Sequence, residues 1–311
     1  MPKDVYLQPD ASDPVLPEEV VLTLVRRHVP QATRVTAVDE SGGEARTYTV
    51  DDTIILKTQR PHRLRPRTSL AKEVFFLNRL TSEPGITVPH VFGYGREGSS
   101  IEYICMTRIS GVAMANVQTA GPARQVALGE LGRTLRRIHA LPREPFEASG
   151  LFPGDHELAE VRTRLTELFG DVIARLGADP PAWTLPLPAE VVAERALAAL
   201  PASDLRVTLH SNPGPPHTFV DPATGAYTGL IDFGDAYISH PALDVWRWPN
   251  PADRRALFQG YTAEQPVDAA WLQTWRVVQV LADLAAVAST PALRPAALAD
   301  IQQHLQIWSG G

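Results

Sequence analysis

His210, Asn212 and His217 stand two and then five residues apart in "HSNPGPPH", and Asp232 follows twenty residues after Asn212 in "LIDFGDA". This is the spacing of a phosphoryl-transfer loop and its metal-binding strand end. In such a loop the second position is an acidic base and the third a metal ligand. The chemistry needs phosphate charge neutralised and an acceptor hydroxyl held in line. Asp232 offers the oxygen that a hard Mg²⁺ prefers. His217 can coordinate through a neutral ring nitrogen, a softer donor than an amide oxygen. Asn212 is the departure. Its amide can hydrogen-bond a hydroxyl but cannot take its proton. His210 reads as support for the loop backbone.

Upstream, Lys57 ends "TIILKT" but for one residue, and Glu73 follows sixteen residues later in "SLAKEVFFLNRL". A strand lysine oriented by a helix glutamate is the pair that grips the α- and β-phosphates of a nucleotide. Taken singly, Lys57 is an ordinary surface lysine and Glu73 a solvated helix residue. The order lysine, glutamate, loop, aspartate makes them candidates. Asp235 reads as support for the metal ligand or as a contact for a cationic substrate. Asp244 reads as a structural carboxylate bonded to the loop backbone. His139 caps or packs a helix end, and Trp271 and Trp275, at helical spacing, belong to the core. Trp246 and Trp248 fit either the core or a stacking surface. The basic run from Arg60 to Arg67 reads as a solvated loop.

These residues must be positioned by two different kinds of structure. Helix signals cover 17–29 and 69–80, the second with Ser69 as N-cap and Leu70, Val74, Leu77 and Leu80 on one face. Between and after them, 33–38, 46–50, 53–58, 87–95 and 101–109 read as strands. From residue 111 helical periodicity dominates, at 123–142, 156–176, 189–200 and 268–288. The one strongly β-like piece there is 208–235, two strands around a Pro-Ala-Thr-Gly turn. The expected fold class is α+β and two-lobed: a small β-rich lobe over 1–107 and a larger, mainly helical lobe over 108–311. The second carries the loop, the metal segment and the acceptor-binding region.

Composition excludes several classes. A net charge of −6 over 311 residues argues against a general nucleic-acid surface and suits cationic or neutral small partners. The longest nearly apolar stretch, 277–288, is broken by Gln279 and Asp283 and is too short for a bilayer, so no membrane span is expected. A lone cysteine, Cys105, and a polar start, "MPKDVYLQPD", point to a reducing cytoplasm.

The chain resembles the aminoglycoside phosphotransferase and choline kinase-like family, which shares the protein-kinase-like fold. "LGRTLRRIHALP" is similar to that family's helix before the catalytic loop, and "LIDFGDAYISHPALDV" to its metal segment and the structural aspartate that follows. The resemblance covers roughly 17–288. It implies ATP or GTP with Mg²⁺, and phosphorylation of a hydroxyl on a small-molecule acceptor such as an aminoglycoside-like antibiotic. It places the hinge against the purine at Met106, Thr107 and Ile109, and the loop over the phosphates at Ser41, Gly42 and Gly43. His217 and Asp232 become metal ligands, and Asn212 occupies the base position. Three readings of Asn212 stay open: a phosphotransferase impaired in this form by the loss of its base, an active enzyme using a different base, or a non-catalytic nucleotide-binding protein with a regulatory role.

Overall fold

The computed structural model describes residues 15–40, 43–60, 69–97, 101–117, 121–177 and 183–309. The chain divides into two compact units, Met1–Gly111 with Thr228–Ala236, and Val112–Tyr227 with Tyr237–Gly311.

The first unit is built on a five-stranded sheet. Helix α1 (Glu18–Arg26) precedes β1 (Val35–Asp39), β2 (Ala45–Val50) and β3 (Ile54–Gln59). Helix α2 (Leu70–Leu80) leads to β4 (Val91–Glu97) and β5 (Ile101–Thr107). The strand order is β1-β2-β3-β5-β4, and every pairing is antiparallel. Alternation along β2 and β3 sends Tyr48, Val50, Ile54 and Leu56 into a core shared with Val21, Leu24 and Val25 of α1. The side-chain period of two then turns Lys57 to the face opposite Leu56. Ser69 accepts a hydrogen bond from the Lys72 backbone N–H and so opens α2 as expected.

One strand expectation is corrected. The run 87–95 begins its pairing only at Val91. Pro89 has no N–H to give a ladder, and the Thr87 carbonyl is taken by the Leu230 N–H at 3.1 Å.

The second unit is mainly helical: α3 (Gly121–His139), α4 (Glu144–Ala148), α5 (Leu158–Gly177), α6 (Ala189–Ala198), α7 (Pro251–Thr262), α8 (Ala269–Ser289) and α9 (Arg294–Ser309). Short strands punctuate it. β6 (Val112–Ala113) pairs with β8 (Thr218–Val220), and β7 (Val207–Leu209) pairs with β10 (Tyr237–Ser239). Strand β9 (Tyr227–Leu230) leads out of this unit into the segment that packs with the first. The sequence reading placed that segment within 108–311. It missed β6, β10, α4, α7 and α9, which are too short or too weakly patterned to announce themselves. The expected α+β class, a small antiparallel sheet unit and a helical unit, is what the chain forms. Among the described residues, no helix is long and apolar enough to cross a membrane.

Helices α3 and α7 meet at glycines. A Cβ on Gly260 would lie 1.9 Å from the Gly129 carbonyl oxygen, and one on Gly132 would lie 2.1 Å from that of Leu257. Both obstacles are backbone and cannot swing away. Gly260→Ala is therefore expected to destabilise the fold by about 3 kcal/mol, the upper part of the range for overpacking. Urea denaturation of the two chains measures it. Loss of under ~0.5 kcal/mol, the scale of a neutral surface change, would show that the helices are not in contact there.

Candidate active site

In the first unit, Lys57 stands between two carboxylates. Its Nζ lies 2.7 Å from Glu73 Oε2 and 2.7 Å from Asp232 Oδ1. Glu73 is almost wholly buried, with its side chain 1% exposed, whereas the Asp232 side chain keeps 40% of its surface. Burial alone would favour the neutral amine. The Asp232 and Glu73 charges outweigh it and raise the Lys57 pKa, so the group remains a cation. For Glu73, burial lifts the carboxyl above its ordinary value against the opposing pull of Lys57.

The segment carrying Asp232 is fastened to the same unit at several points. The Leu230 N–H donates to Thr87, the Thr228 hydroxyl to the Ser110 carbonyl, and the Ser69 N–H to the Gly234 carbonyl at 3.4 Å. The Phe233 ring meets Phe76 of α2 edge-on at 5.0 Å. Between these anchors Asp232 has φ 73°, a left-handed conformation uncommon for a non-glycine residue. Such strain persists where surrounding contacts over-determine it, and it clusters at functional sites. Asp235, three residues on, is half-buried.

Of the residues expected to touch a purine, Met106 and Ile109 are buried and Thr107 ends β5. The Thr107 N–H is taken by the His90 carbonyl at 2.8 Å and the Arg108 N–H by Thr53 at 2.8 Å. Gly43 directly precedes the turn into β2, while Ser41 and Gly42 lie outside the described residues, as does most of the basic run Arg60–Arg67.

In the second unit, the loop after β7 is clamped by Asp244. One of its carboxylate oxygens accepts from the Ser211 N–H at 2.6 Å. The other accepts from the His210 N–H at 2.8 Å and lies 2.9 Å from His139 Nε2. His139 Nδ1 in turn lies 3.0 Å from the Tyr261 hydroxyl. His139 thus ties the end of α3 to the carboxylate that holds the loop. His210 is fully buried, and its Nδ1 accepts the Asn212 N–H at 3.2 Å. His217 Nδ1 lies 2.7 Å from the Asn212 carbonyl. That bond makes Nδ1 the protonated nitrogen and Nε2 the one suited to a metal. Asn212 is therefore bonded through both its backbone N–H and its carbonyl.

Two features of this loop escape a reading of spacing alone. Ser211 has φ 85°, strained for a residue with a Cβ. Trp248 is buried in the core, as Trp271 and Trp275 are. Its indole N–H donates to the Pro213 carbonyl at 2.9 Å. The signals were present, an unusual Ser-Asn-Pro-Gly run and a tryptophan soon after Asp244, but neither identifies its partner.

His240 sets the turn that carries Asp244. Its Nδ1 accepts the Ala242 N–H and opens the tight turn Pro241–Asp244. Burial, with Arg206 and His139 nearby, lowers its pKa to about 3. Unfolded, the imidazole has a pKa of about 6.5, so between those values the unfolded chain binds the extra proton. Stability is then full above about pH 6.5 and falls as pH drops towards 3. His240→Asn keeps an acceptor for the turn and removes the titration. Its unfolding free energy should fall less steeply between pH 6.5 and 4.5, by up to about one proton in slope. Equal slopes would show that His240 does not stay neutral in the fold.

The family described as "Phosphotransferase enzyme family" matches residues 35–281. Among curated proteins, none matches the sequence. Among solved structures, the wild-type aminoglycoside 2'-phosphotransferase-IIIa with GDP aligns at TM-score 0.61 and 16% identity, covering 95% of this chain and 98% of that one. The macrolide 2'-phosphotransferase MphH from Brachybacterium faecium aligns at TM-score 0.57 and 22% identity, over 91% and 98% of the two chains. A ternary complex of APH(2")-IIa with streptomycin and ATP aligns at TM-score 0.58 and 13% identity, over 88% and 90%. At these identities the likeness is one of fold.

Proposed function

The chain belongs to the phosphotransferase enzyme family, and from that premise we propose that it moves a phosphoryl group from a nucleoside triphosphate to a hydroxyl of a small molecule. The observation that carries this reading is the cation of Lys57, its side chain 11% exposed, held at 2.7 Å by each of two carboxylates. A lysine so placed gives the α- and β-phosphates a fixed positive charge, and the glutamate behind it sets its direction.

Asp232 fits a magnesium ligand because it is a partly exposed carboxylate held in place by a strained backbone. His217, with Nδ1 committed to Asn212, is the further proposed ligand through Nε2. Bound Mg²⁺ would offset negative charge on the phosphates. Asn212 would hold the acceptor hydroxyl by a hydrogen bond, while His210 and Asp244 keep its backbone in place. The acceptor class rests on the solved relatives, whose names specify aminoglycosides and a macrolide. A single buried cysteine, Cys105, suits a reducing cytoplasm.

A second reading rests on Asn212 itself. With an amide at the base position, the chain would bind nucleotide without transferring phosphate and serve a regulatory role. Calorimetric titration with Mg-ATP and Mg-GTP, followed by transfer assays on aminoglycosides, macrolides, hygromycin and choline, separates the two. Nucleotide binding with transfer to one acceptor supports the enzyme. Failure to bind either nucleotide would sink both readings.

A further inference from the structure

A buried polar cluster among α7, α8 and α9 has no part in the proposed transfer. Arg254 of α7 and Asp283 of α8 are fully buried, and Asp300 and His304, one turn apart on α9, are nearly so, with side chains 11% and 9% exposed. The two carboxylates are half-served in the same way. Asp283 Oδ1 accepts from Arg254 Nη2, and Asp300 Oδ1 accepts from Arg255 Nη1 at 3.3 Å. Among the described residues, the second oxygen of each, Oδ2, is buried with no donor within hydrogen-bond distance. Arg254 Nη2 stays 3.8 Å from Asp300 Oδ2, beyond hydrogen-bond reach. His304 Nε2 lies 3.7 Å from the same oxygen, and His304 Nδ1 is also buried without a partner. Asp283, Asp300 and His304 each offer one ligand atom, and these lie within 4.8 Å of one another.

Buried acceptors left unmade cost stability, and more when charged. Arg254 and Arg255 face the outer oxygens of the two carboxylates and leave the inner ones unserved. Those two oxygens call for a cation between them. An imidazole beside two carboxylates is a mixed nitrogen and oxygen donor set, which suits zinc-class ions better than Mg²⁺ or Ca²⁺. A tetrahedral ion with ligands at about 2.0–2.1 Å sets its donor atoms about 3.4 Å apart. His304 Nε2 and Asp300 Oδ2 stand 3.7 Å apart and all three donor atoms lie within 4.8 Å, so the side chains would close by up to about 1.4 Å around the ion.

We propose that Asp283, Asp300 and His304 form a binding site for a divalent transition-metal ion of the zinc class, which fastens the C-terminal helix to α8. Arg254 and Arg255 take the outer oxygens and so turn the inner ones to the ion, the usual work of groups behind a ligand shell. The site adjoins the proposed catalytic loop by a short route within the same unit. Arg254 Nη1 also donates to the Trp248 carbonyl at 2.8 Å, and the Trp248 indole holds the Pro213 carbonyl.

Cobalt(II) is the probe, added to the full chain after chelator treatment. One equivalent should bind with visible d–d bands, be displaced by Zn²⁺, and raise the melting temperature. His304→Gln and Asp300→Asn should each lower the cobalt affinity at least tenfold while leaving the far-ultraviolet spectrum unchanged. Asp232→Asn should not alter it, which separates this ion from a nucleotide-linked one. The proposal fails if the parent chain binds no stoichiometric cobalt. A proton shared by the two carboxylates would then be the occupant. It fails equally if binding survives both α9 substitutions undiminished.

Discussion

Lys57→Met is expected to weaken Mg-nucleotide binding by about 10- to 150-fold, the equivalent of the ~1.5–3 kcal/mol carried by a hydrogen bond to a charged group. The same change should lower stability by about 3–5 kcal/mol, because it strands a buried carboxylate. Both effects come from one geometry. Lys57 is the cation between Glu73 and Asp232, and Glu73 has almost no surface through which water could take over its charge. Adding Glu73→Gln to Lys57→Met separates the two effects. The double variant should recover most of the lost stability, since no buried charge is left unpaired. Its nucleotide affinity should stay low, since no cation has been restored. Urea melts and calorimetry read the two quantities independently. Recovery of both together would mean that Lys57 acts on nucleotide only through the fold. Loss of neither would remove Lys57 from the site altogether.

The legibility of this chain in its sequence was uneven for physical reasons. Helices with an apolar face and a cap were read to within a few residues. α2 is the clearest case, where Ser69 and the spacing of Leu70, Leu77 and Leu80 agree with what forms. The strands β2 and β3 alternate strictly and were equally plain. What failed were elements whose existence depends on distant partners. β6 has two residues and exists because β8 pairs with it, and β10 has three and exists because β7 does. α9 buries only Ala297 and Ile301 as apolar residues and turns the polar Asp300 and His304 inward beside them, so periodicity did not reveal it.

The candidate site divides along the same line. Spacing picked out Lys57, Glu73 and Asp232, and these three prove to be in contact. Chain spacing also singled out His210, Asn212 and His217, whose mutual hydrogen bonds then follow from a tight loop. It could not find that Trp248 holds Pro213 or that His139 joins Asp244 to Tyr261. Those contacts join residues 35 or more positions apart and leave no periodic trace. The left-handed backbone at Ser211 and Asp232 was likewise invisible, because neither residue is the glycine that usually marks such a conformation.

Asn212→Asp is expected to raise phosphate transfer by about 10²–10⁴-fold, the usual contribution of a positioned general base. The side chains have the same shape, and the backbone that presents them is already fixed. The Asn212 N–H is held by His210 and its carbonyl by His217, while Asp244 anchors the two preceding residues. No rearrangement is needed for a carboxylate to stand where the amide does. Nucleotide affinity should change by no more than a few-fold, because the cation and the carboxylate proposed to meet the phosphates are Lys57 and Asp232. The magnitude is itself informative. Phosphoryl transfer usually has a loose transition state, in which positioning and charge neutralisation do most of the acceleration. A gain near the low end would mean that Asn212 already orients the hydroxyl well and lacks only a proton acceptor. A gain near the high end would mean that the amide holds the hydroxyl badly as well. If neither form transfers phosphate to any acceptor while both bind Mg-nucleotide, the base position is not what limits turnover. The regulatory reading then stands in place of the enzymatic one.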